Sequence, residues 1–78
     1  MTRGEYLVGI GFNPSGNAQV DEVKRRAAAL IDAIEKVPDG TTLGSAPSEV
    51  MRLKALAITA AEEAAMWGVK AATKPQPD

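Results

Sequence analysis

The sequence predicts a mainly α-helical protein: an antiparallel two-helix hairpin with a short N-terminal β-strand, assembled into a homo-oligomer. Two long segments carry apolar residues at the three- and four-residue spacing of an amphipathic helix. In the segment before them every second residue has a large side chain, and this two-residue period is typical of a β-strand. The 78 residues include neither Cys nor His, so a disulfide or a structural zinc cannot stabilise so small a domain. Oligomerisation remains as the means of burying enough surface.

The strand is expected at about residues 5–12. Its large side chains on one side are Tyr6, Val8, Ile10 and Phe12. A lone strand leaves backbone groups unpaired, so we expect it to pair with a strand of another subunit or with residues 2–5. The alternative is a strand that lies flat on its own helices.

Helix one is expected at about residues 18–37. The turn Asn13-Pro14-Ser15-Gly16-Asn17 ends the strand, and Asn17 suits the N-cap of the following helix. The predicted apolar seam consists of Val20, Val23, Ala27, Leu30, Ile31, Ile34 and Val37. Charged residues occupy the opposite face, as expected of a helix with one side in solvent.

Helix two is expected at about residues 46–73, with Ser45 as its cap and Pro47 in its first turn. Residues 1–74 then form a single helical-hairpin domain, and residues 75–78 form a flexible tail. At about 1.5 Å per residue, helix two is roughly 40 Å long and helix one only roughly 27 Å, so one end must overhang. Helix two is also apolar on two stripes, which predicts packing on two sides.

Composition argues against an enzyme and against several classes of partner. Without His or Cys, the commonest general base and the thiol nucleophile are absent, and we expect no catalytic residues, no metal and no cofactor. A net charge of -1 does not favour duplex nucleic acid. No stretch approaches the length of a membrane span, so a soluble cytoplasmic protein without a membrane partner is expected.

The residues that remain suit a nucleotide. Phe12 or Tyr6 can stack on a base, and Asn13 can read the edge of a base. Phosphates can be neutralised by the basic residues Arg25, Arg52 and Lys54. Each has an ordinary structural alternative, because Phe is often part of a core, Asn often forms turns, and exposed basic residues often only solubilise.

A polar stripe crosses the otherwise apolar helix two. Arg52, Thr59 and Glu63 follow one another at spacings of seven and four, which places them on one face. Polar groups that face an interface need partners, so we expect a ligand or another chain there.

Four motifs carry a resemblance to a known family. They are Phe12-Asn13-Pro14-Ser15-Gly16-Asn17, Ala28-Ala29-Leu30-Ile31-Asp32, the run from Arg52 to Ala57, and Glu-x-x-x-Met-Trp-x-x-Lys-Ala starting at Glu62. With these motifs the chain resembles the phage anti-CBASS and anti-Thoeris hairpin family over nearly its whole length. The strand and its Asn-Pro-Ser-Gly turn resemble the anti-Thoeris branch more closely.

The resemblance implies a hexamer that sequesters cyclic nucleotide signals in the cytoplasm of the infected host without cleaving them. The implied ligands are cyclic dinucleotides, cyclic trinucleotides or glycocyclic ADP-ribose, held between subunits. The alternative from the residues alone is a structural or adaptor hairpin in phage protein assembly. A third hypothesis is a helical hairpin that binds nucleic acid. Such a protein needs a basic face, which the net charge of -1 does not indicate.

Overall fold

A computed structural model describes residues 1–39 and 47–77 of the chain. These residues form three helices: α1 (Arg3–Val8), α2 (Ala18–Glu35) and α3 (Pro47–Thr73). The Cα trace measures 56 × 26 × 13 Å, little thicker than a single helix. Ser45, the predicted cap of helix two, lies outside the described residues. No helix in the two described ranges is long and apolar enough to cross a membrane.

The two long helices form the antiparallel hairpin that the sequence predicts. At one end, the N-cap Asn17 accepts hydrogen bonds from the first turn of α2 and donates its Nδ2 to the carbonyl of Ala72, at 3.1 Å. At the other end, Lys54 of α3 donates to the carbonyl of Glu35, the last residue of α2, and to that of Val37 just after it. Residues 47–53 of α3 therefore extend beyond the end of α2, where Met51 and Leu53 are about half exposed.

α2 ends at Glu35, two residues before the predicted boundary. The amide of Val37 still donates to the carbonyl of Ile34, at 3.0 Å, as a tighter last turn. Pro38 follows directly, and the residue before a proline is disfavoured in helical conformation. The proline therefore explains why the helix cannot continue through Val37.

The core is a thin row of small and medium side chains. Its buried apolar residues are Val20, Ala28, Ile31, Ala61 and Ala65. The predicted seam of α2 is partly wrong, because Leu30 and Val37 are about half exposed. α2 packs against α3 on one side and α1 on another, so its buried face is rotated toward Lys24 and Ala28.

The predicted strand at residues 5–12 is wrong: the described residues contain no strand, and Arg3–Val8 is a helix. Thr2 Oγ1 accepts from the amide of Glu5 at 3.1 Å, and Glu5 Oε1 accepts from the amide of Thr2 at 2.8 Å. This reciprocal capping box starts a helix, and Gly9, at φ 65°, ends it. A helix satisfies its own backbone groups, so the segment needs no neighbouring strand.

α1 is docked on α2 through Gly4. The amide of Gly4 donates to Asp32 Oδ1 at 2.8 Å, and Arg3 forms an ion pair with Glu35 at 3.0 Å. A Cβ at Gly4 would lie only 2.2 Å from the carbonyl oxygen of Ala28, so no other residue fits this contact. The glycine thus sets how closely the two helices approach.

Candidate functional site

Lys24 is the one charged residue that is buried in the described part of the chain. Its Nζ donates to the carbonyl of Gly9 at 2.9 Å and also to the carbonyl of Phe12. These carbonyls lie where α1 has ended, and the ammonium group donates to both of them, in addition to the amide of Phe12 that the Gly9 carbonyl accepts at 2.9 Å. Lys24 therefore ties the segment after α1 to α2.

The same ammonium group faces an aromatic ring. Lys24 Nζ is 5.5 Å from the centroid of the Phe12 ring, within cation–π range. Phe12 is nevertheless 71% exposed, so most of the ring remains open to solvent. An exposed aromatic ring beside a held positive charge is suited to stacking a base whose phosphate lies close by.

A groove of about 610 Å³ opens beside this segment, between the end of α1 and α3. It is lined by Leu7, Val8, Lys24, Thr59, Glu62, Glu63, Ala65, Met66 and Val69. A second hollow of about 350 Å³ shares Thr59 and Glu62 with it and continues toward Arg3. The volume of the first groove lies within the range of small-molecule sites.

The structure divides the predicted polar stripe of helix two. Thr59 and Glu63 line the groove. Arg52 does not line it; its guanidinium bonds Glu49 at 2.6 and 3.1 Å. This contact raises the pKa of Arg52 and lowers the pKa of Glu49, since each charge stabilises the other. Both groups are exposed, so a phosphate can compete with the carboxylate for Arg52.

Arg25 and Asn13 lie apart from the groove lining. Arg25 forms an ion pair with Glu22 and borders a hollow of about 200 Å³ between α1 and α2. Asn13 Nδ2 donates to the carbonyl of Asn17 at 2.8 Å and to Asp21 Oδ1 at 2.9 Å. The Asn13 amide therefore stabilises the turn before α2. This is the turn-forming role that the sequence offered as the alternative to contact with a base.

Lys54, the third predicted phosphate ligand, holds the end of α2. Its Nζ donates to the carbonyls of Glu35 at 3.1 Å and Val37 at 2.6 Å, and to Asp39 Oδ1 at 2.9 Å. Cations are favourable at the C-terminal end of a helix, where carbonyls lack partners. The side chain is only 15% exposed, so this capping role occupies most of it.

Lys54→Met is expected to lower the free energy of unfolding by about 1–2 kcal/mol, because an ammonium donor to two carbonyls and a carboxylate is lost. Urea denaturation of both proteins measures the difference. Lys74→Met is the control, since Lys74 follows the end of α3 and is exposed. Equal stability of the two variants would contradict the capping role.

Sequence reasoning missed Lys24 and Glu62. Lys24 lies four residues after Val20 and four before Ala28, so it belongs to the buried stripe of α2. A lysine on such a stripe needs acceptors, and that requirement was the available signal. Glu62 lines both the groove and the second hollow. Its place there depends on the packing of α1 beside α3, which the sequence does not reveal.

The groove of one chain carries little free positive charge. Its lining includes two carboxylates, Glu62 and Glu63, and one ammonium group, that of Lys24, which already bonds two carbonyls. A ligand with two phosphates requires more neutralising charge than this lining offers. The geometry therefore provides a stacking surface and an apolar wall, and leaves part of the phosphate neutralisation to other groups.

The comparisons with known proteins agree with the sequence motifs. No curated protein and no solved structure matched the chain. The sequence matches the family described as Acb2/Tad1, hairpin domain, over residues 5–73, which include α2, α3 and most of α1. The chain therefore belongs to the Acb2/Tad1 hairpin-domain family, the anti-CBASS and anti-Thoeris sponge family that its motifs indicate.

Proposed function

We propose that this protein binds a cyclic nucleotide immune signal and sequesters it uncleaved in the cytoplasm of a phage-infected host. The observation that carries the proposal is the exposed Phe12 ring, with Lys24 Nζ 5.5 Å from its centroid, in a chain of the sponge family. The groove of about 610 Å³ beside it has room for a ligand larger than one nucleotide.

In the proposed complex, one base stacks on Phe12 and a phosphate lies near the Lys24 ammonium. The rest of the ligand follows the groove, where Val8 and Met66 offer apolar contact. The Thr59 hydroxyl donates to or accepts from ribose hydroxyls, and the Glu63 carboxylate accepts from ribose hydroxyls or base amines. Asn13 holds the turn that carries Phe12 and contacts the base edge if its bond to Asp21 is exchanged.

We further propose that the site is completed by self-association, in a homo-oligomer such as a hexamer. Large apolar side chains are exposed in both halves of α3, among them Leu56, Met66 and Trp67. A thin core and such surfaces favour burial against a second copy. Arg25 and Arg52, whose side chains are exposed, are the candidates to bring positive charge to a groove of a neighbouring subunit, whereas Lys54 is held at the end of α2.

Sequestration without catalysis agrees with the residues of the site. Glu62 and Glu63 are adjacent on α3, so their side chains point about 100° apart and do not converge on one bond as an acid and a base. The proposed ligands are cyclic dinucleotides, cyclic trinucleotides and glycocyclic ADP-ribose. The strand that favoured the anti-Thoeris branch is a helix, so that reason to prefer cyclic ADP-ribose signals no longer stands.

A second candidate function is a structural or adaptor hairpin in phage protein assembly. Residues 47–53 of α3 extend beyond α2 and expose Met51 and Leu53. Such an apolar end can bind another protein instead of a second copy. An adaptor would show no rise in melting temperature with any cyclic nucleotide.

The test is a thermal-shift panel of cyclic nucleotides and glycocyclic ADP-ribose on the wild type and Phe12→Leu. A ligand that binds only the folded state raises the melting temperature of the wild type. Phe12→Leu is expected to weaken binding by about fivefold or more, the loss of one base–aromatic stack of ~1–3 kcal/mol. The unliganded variant should melt near the wild type, because Phe12 is largely exposed.

Tyr6→Leu is the matched control, since Tyr6 is 70% exposed and no ammonium lies over its ring in the described part of the chain. It should keep wild-type affinity. Ligand recovered after heat denaturation should be intact. Hydrolysed ligand, or equal affinity of Phe12→Leu and wild type for every ligand, would refute the proposed site.

A further inference from the structure

α1 runs antiparallel to α2 and is held near both of its ends. In its first turn, the amide of Gly4 donates to Asp32 Oδ1 at 2.8 Å. After its last turn, the carbonyls of Gly9 and Phe12 accept from the ammonium group of Lys24. Asp32 and Lys24 are eight residues apart on α2, which corresponds to about 12 Å along the helix. The two side chains therefore hold α1 along its whole length.

The docked position of α1 provides one wall of the groove. Leu7 and Val8 line the groove. They follow Gly4 by three and four residues, so they lie on the same side of α1 as the glycine that contacts α2. Asp32 lines neither the groove nor the second hollow. Its effect on the groove must therefore pass through the helix that it holds.

α1 depends on these contacts because it is short. Isolated helices of fewer than about 12–15 residues are marginal in water, and α1 has six residues. It packs mainly against α2. Gly4 is buried in this interface, and a buried amide without an acceptor is costly. Asp32 supplies that acceptor, so it favours the docked position of α1.

We propose that Asp32 is a positioning residue for the cyclic nucleotide, because it holds α1 where Leu7 and Val8 complete the groove. This inference rests on the proposed function. A ligand that binds only molecules with docked α1 loses apparent affinity in proportion to the undocked fraction. By linkage, the bound ligand in turn favours the docked position of α1.

The test compares Asp32→Leu with Asp32→Asn in the full-length protein. Asparagine keeps the shape and an oxygen acceptor for the Gly4 amide, whereas leucine keeps a similar shape without an acceptor. Asp32→Leu should bind about fivefold or more weakly, and Asp32→Asn should bind within about twofold of the wild type. Calorimetry at a temperature where the variants are folded measures affinity for cyclic di-AMP, cyclic di-GMP, cyclic tri-AMP and glycocyclic ADP-ribose.

Hydrogen exchange distinguishes positioning from a general loss of stability. Without ligand, residues 3–12 of Asp32→Leu should exchange faster than those of the wild type, while α2 and α3 exchange at wild-type rates. A bound member of the panel should restore protection to residues 3–12. Asp32→Asn should exchange like the wild type throughout. Equally faster exchange of all three helices in Asp32→Leu would overturn the positioning role.

Thr2→Val weakens α1 without a change in the hairpin, and it serves as the test variant if Asp32→Leu does not fold. Thr2 is exposed, and its Oγ1 accepts from the amide of Glu5. Valine has the same shape but cannot cap the helix, so binding should weaken several-fold. Glu35→Gln is the control, because its ion pair with Arg3 is exposed and contributes little. It should bind within about twofold of the wild type.

The outcomes separate this inference from the proposed function. If the wild type binds a member of the panel and folded Asp32→Leu binds it equally well, the positioning role is overturned and the proposed function stands. Equal losses of affinity in Asp32→Leu and Asp32→Asn would assign the effect to the charge of Asp32, and would also overturn the role. If the wild type binds no member of the panel, the proposed function fails and this inference fails with it.

Discussion

Gly4→Ala is expected to lower the free energy of unfolding by about 2 kcal/mol or more. The new Cβ would lie 2.2 Å from the carbonyl oxygen and 2.8 Å from the carbonyl carbon of Ala28. Backbone atoms in the middle of a helix cannot turn aside, so α1 must move away from α2. Overpacking of this kind costs about 1–3 kcal/mol and occasionally more. The gain in helix propensity from Gly to Ala, about 1 kcal/mol at most, acts in the opposite direction and is smaller.

Moving α1 also breaks the bond from the Gly4 amide to Asp32. It displaces Leu7 and Val8 from the groove wall, so affinity for the cyclic nucleotide should fall together with stability. Chemical denaturation and ligand titration of the same samples measure both effects.

Gly11→Ala is the matched control for this substitution. A Cβ at Gly11 would meet no atom within 4 Å, and its φ is not in the left-handed region. Replacing a glycine at such a position leaves stability unchanged or raises it by a few tenths of a kcal/mol. If Gly4→Ala were as stable as Gly11→Ala, α1 would not be docked as described.

Lys24→Met is expected to lower the free energy of unfolding by about 2–3 kcal/mol and to weaken ligand binding by about tenfold or more. Methionine keeps the apolar stem but removes the ammonium group, so the carbonyl of Phe12 loses this donor and the carbonyl of Gly9 keeps only the amide of Phe12. Hydrogen bonds to a charged group contribute about 1.5–3 kcal/mol, and buried acceptors without partners are costly. A tenfold loss of affinity corresponds to about 1.4 kcal/mol. The loss combines the missing contact between Lys24 and the phosphate with a less well positioned Phe12 ring.

Two measurements separate the contributions of Lys24. Urea denaturation reports the structural loss, and calorimetry at a temperature where the variant is folded reports the loss of affinity. Lys36→Met serves as the control, because Lys36 is exposed at the end of α2 and should affect neither. Wild-type affinity in folded Lys24→Met would remove Lys24 from the proposed site and leave it a purely structural residue.

Much of the hairpin could be predicted from the sequence, because its signals are local. Asn17 caps α2, and the apolar spacing of the two long segments is long enough to define a helix. The overhang of α3 could be predicted because the second long helical segment is longer than the first. The segment after Thr2 was predicted wrongly, since seven alternating residues fit either a strand or a short helix with one exposed side. The capping box from Thr2 to Glu5 was the local signal for the helix.

The candidate site was less predictable, because its residues come from all three helices. Phe12, Thr59 and Glu63 were identified as candidates, and the structure places the last two in the groove and the first beside it. Arg25, Arg52 and Lys54 were chosen for their charge alone. The structure pairs Arg25 and Arg52 each with a glutamate three residues earlier on the same helix. It pairs Lys54 with Asp39 and two carbonyls, all 15 or more residues away along the chain, so sequence spacing does not reveal the Lys54 contacts.

By itself, the sequence determined two long amphipathic helices, the turn that joins α1 to α2 and the membership of the family, since each depends on residues close together in the chain. Only the tertiary structure decided that α1 is docked through Gly4 and that Lys24 is buried beneath Phe12. A lysine is ordinarily exposed, and it becomes buried only where folding brings hydrogen-bond acceptors within reach of its ammonium group. The carbonyls that Lys24 bonds, at Gly9 and Phe12, are 15 and 12 residues away along the chain.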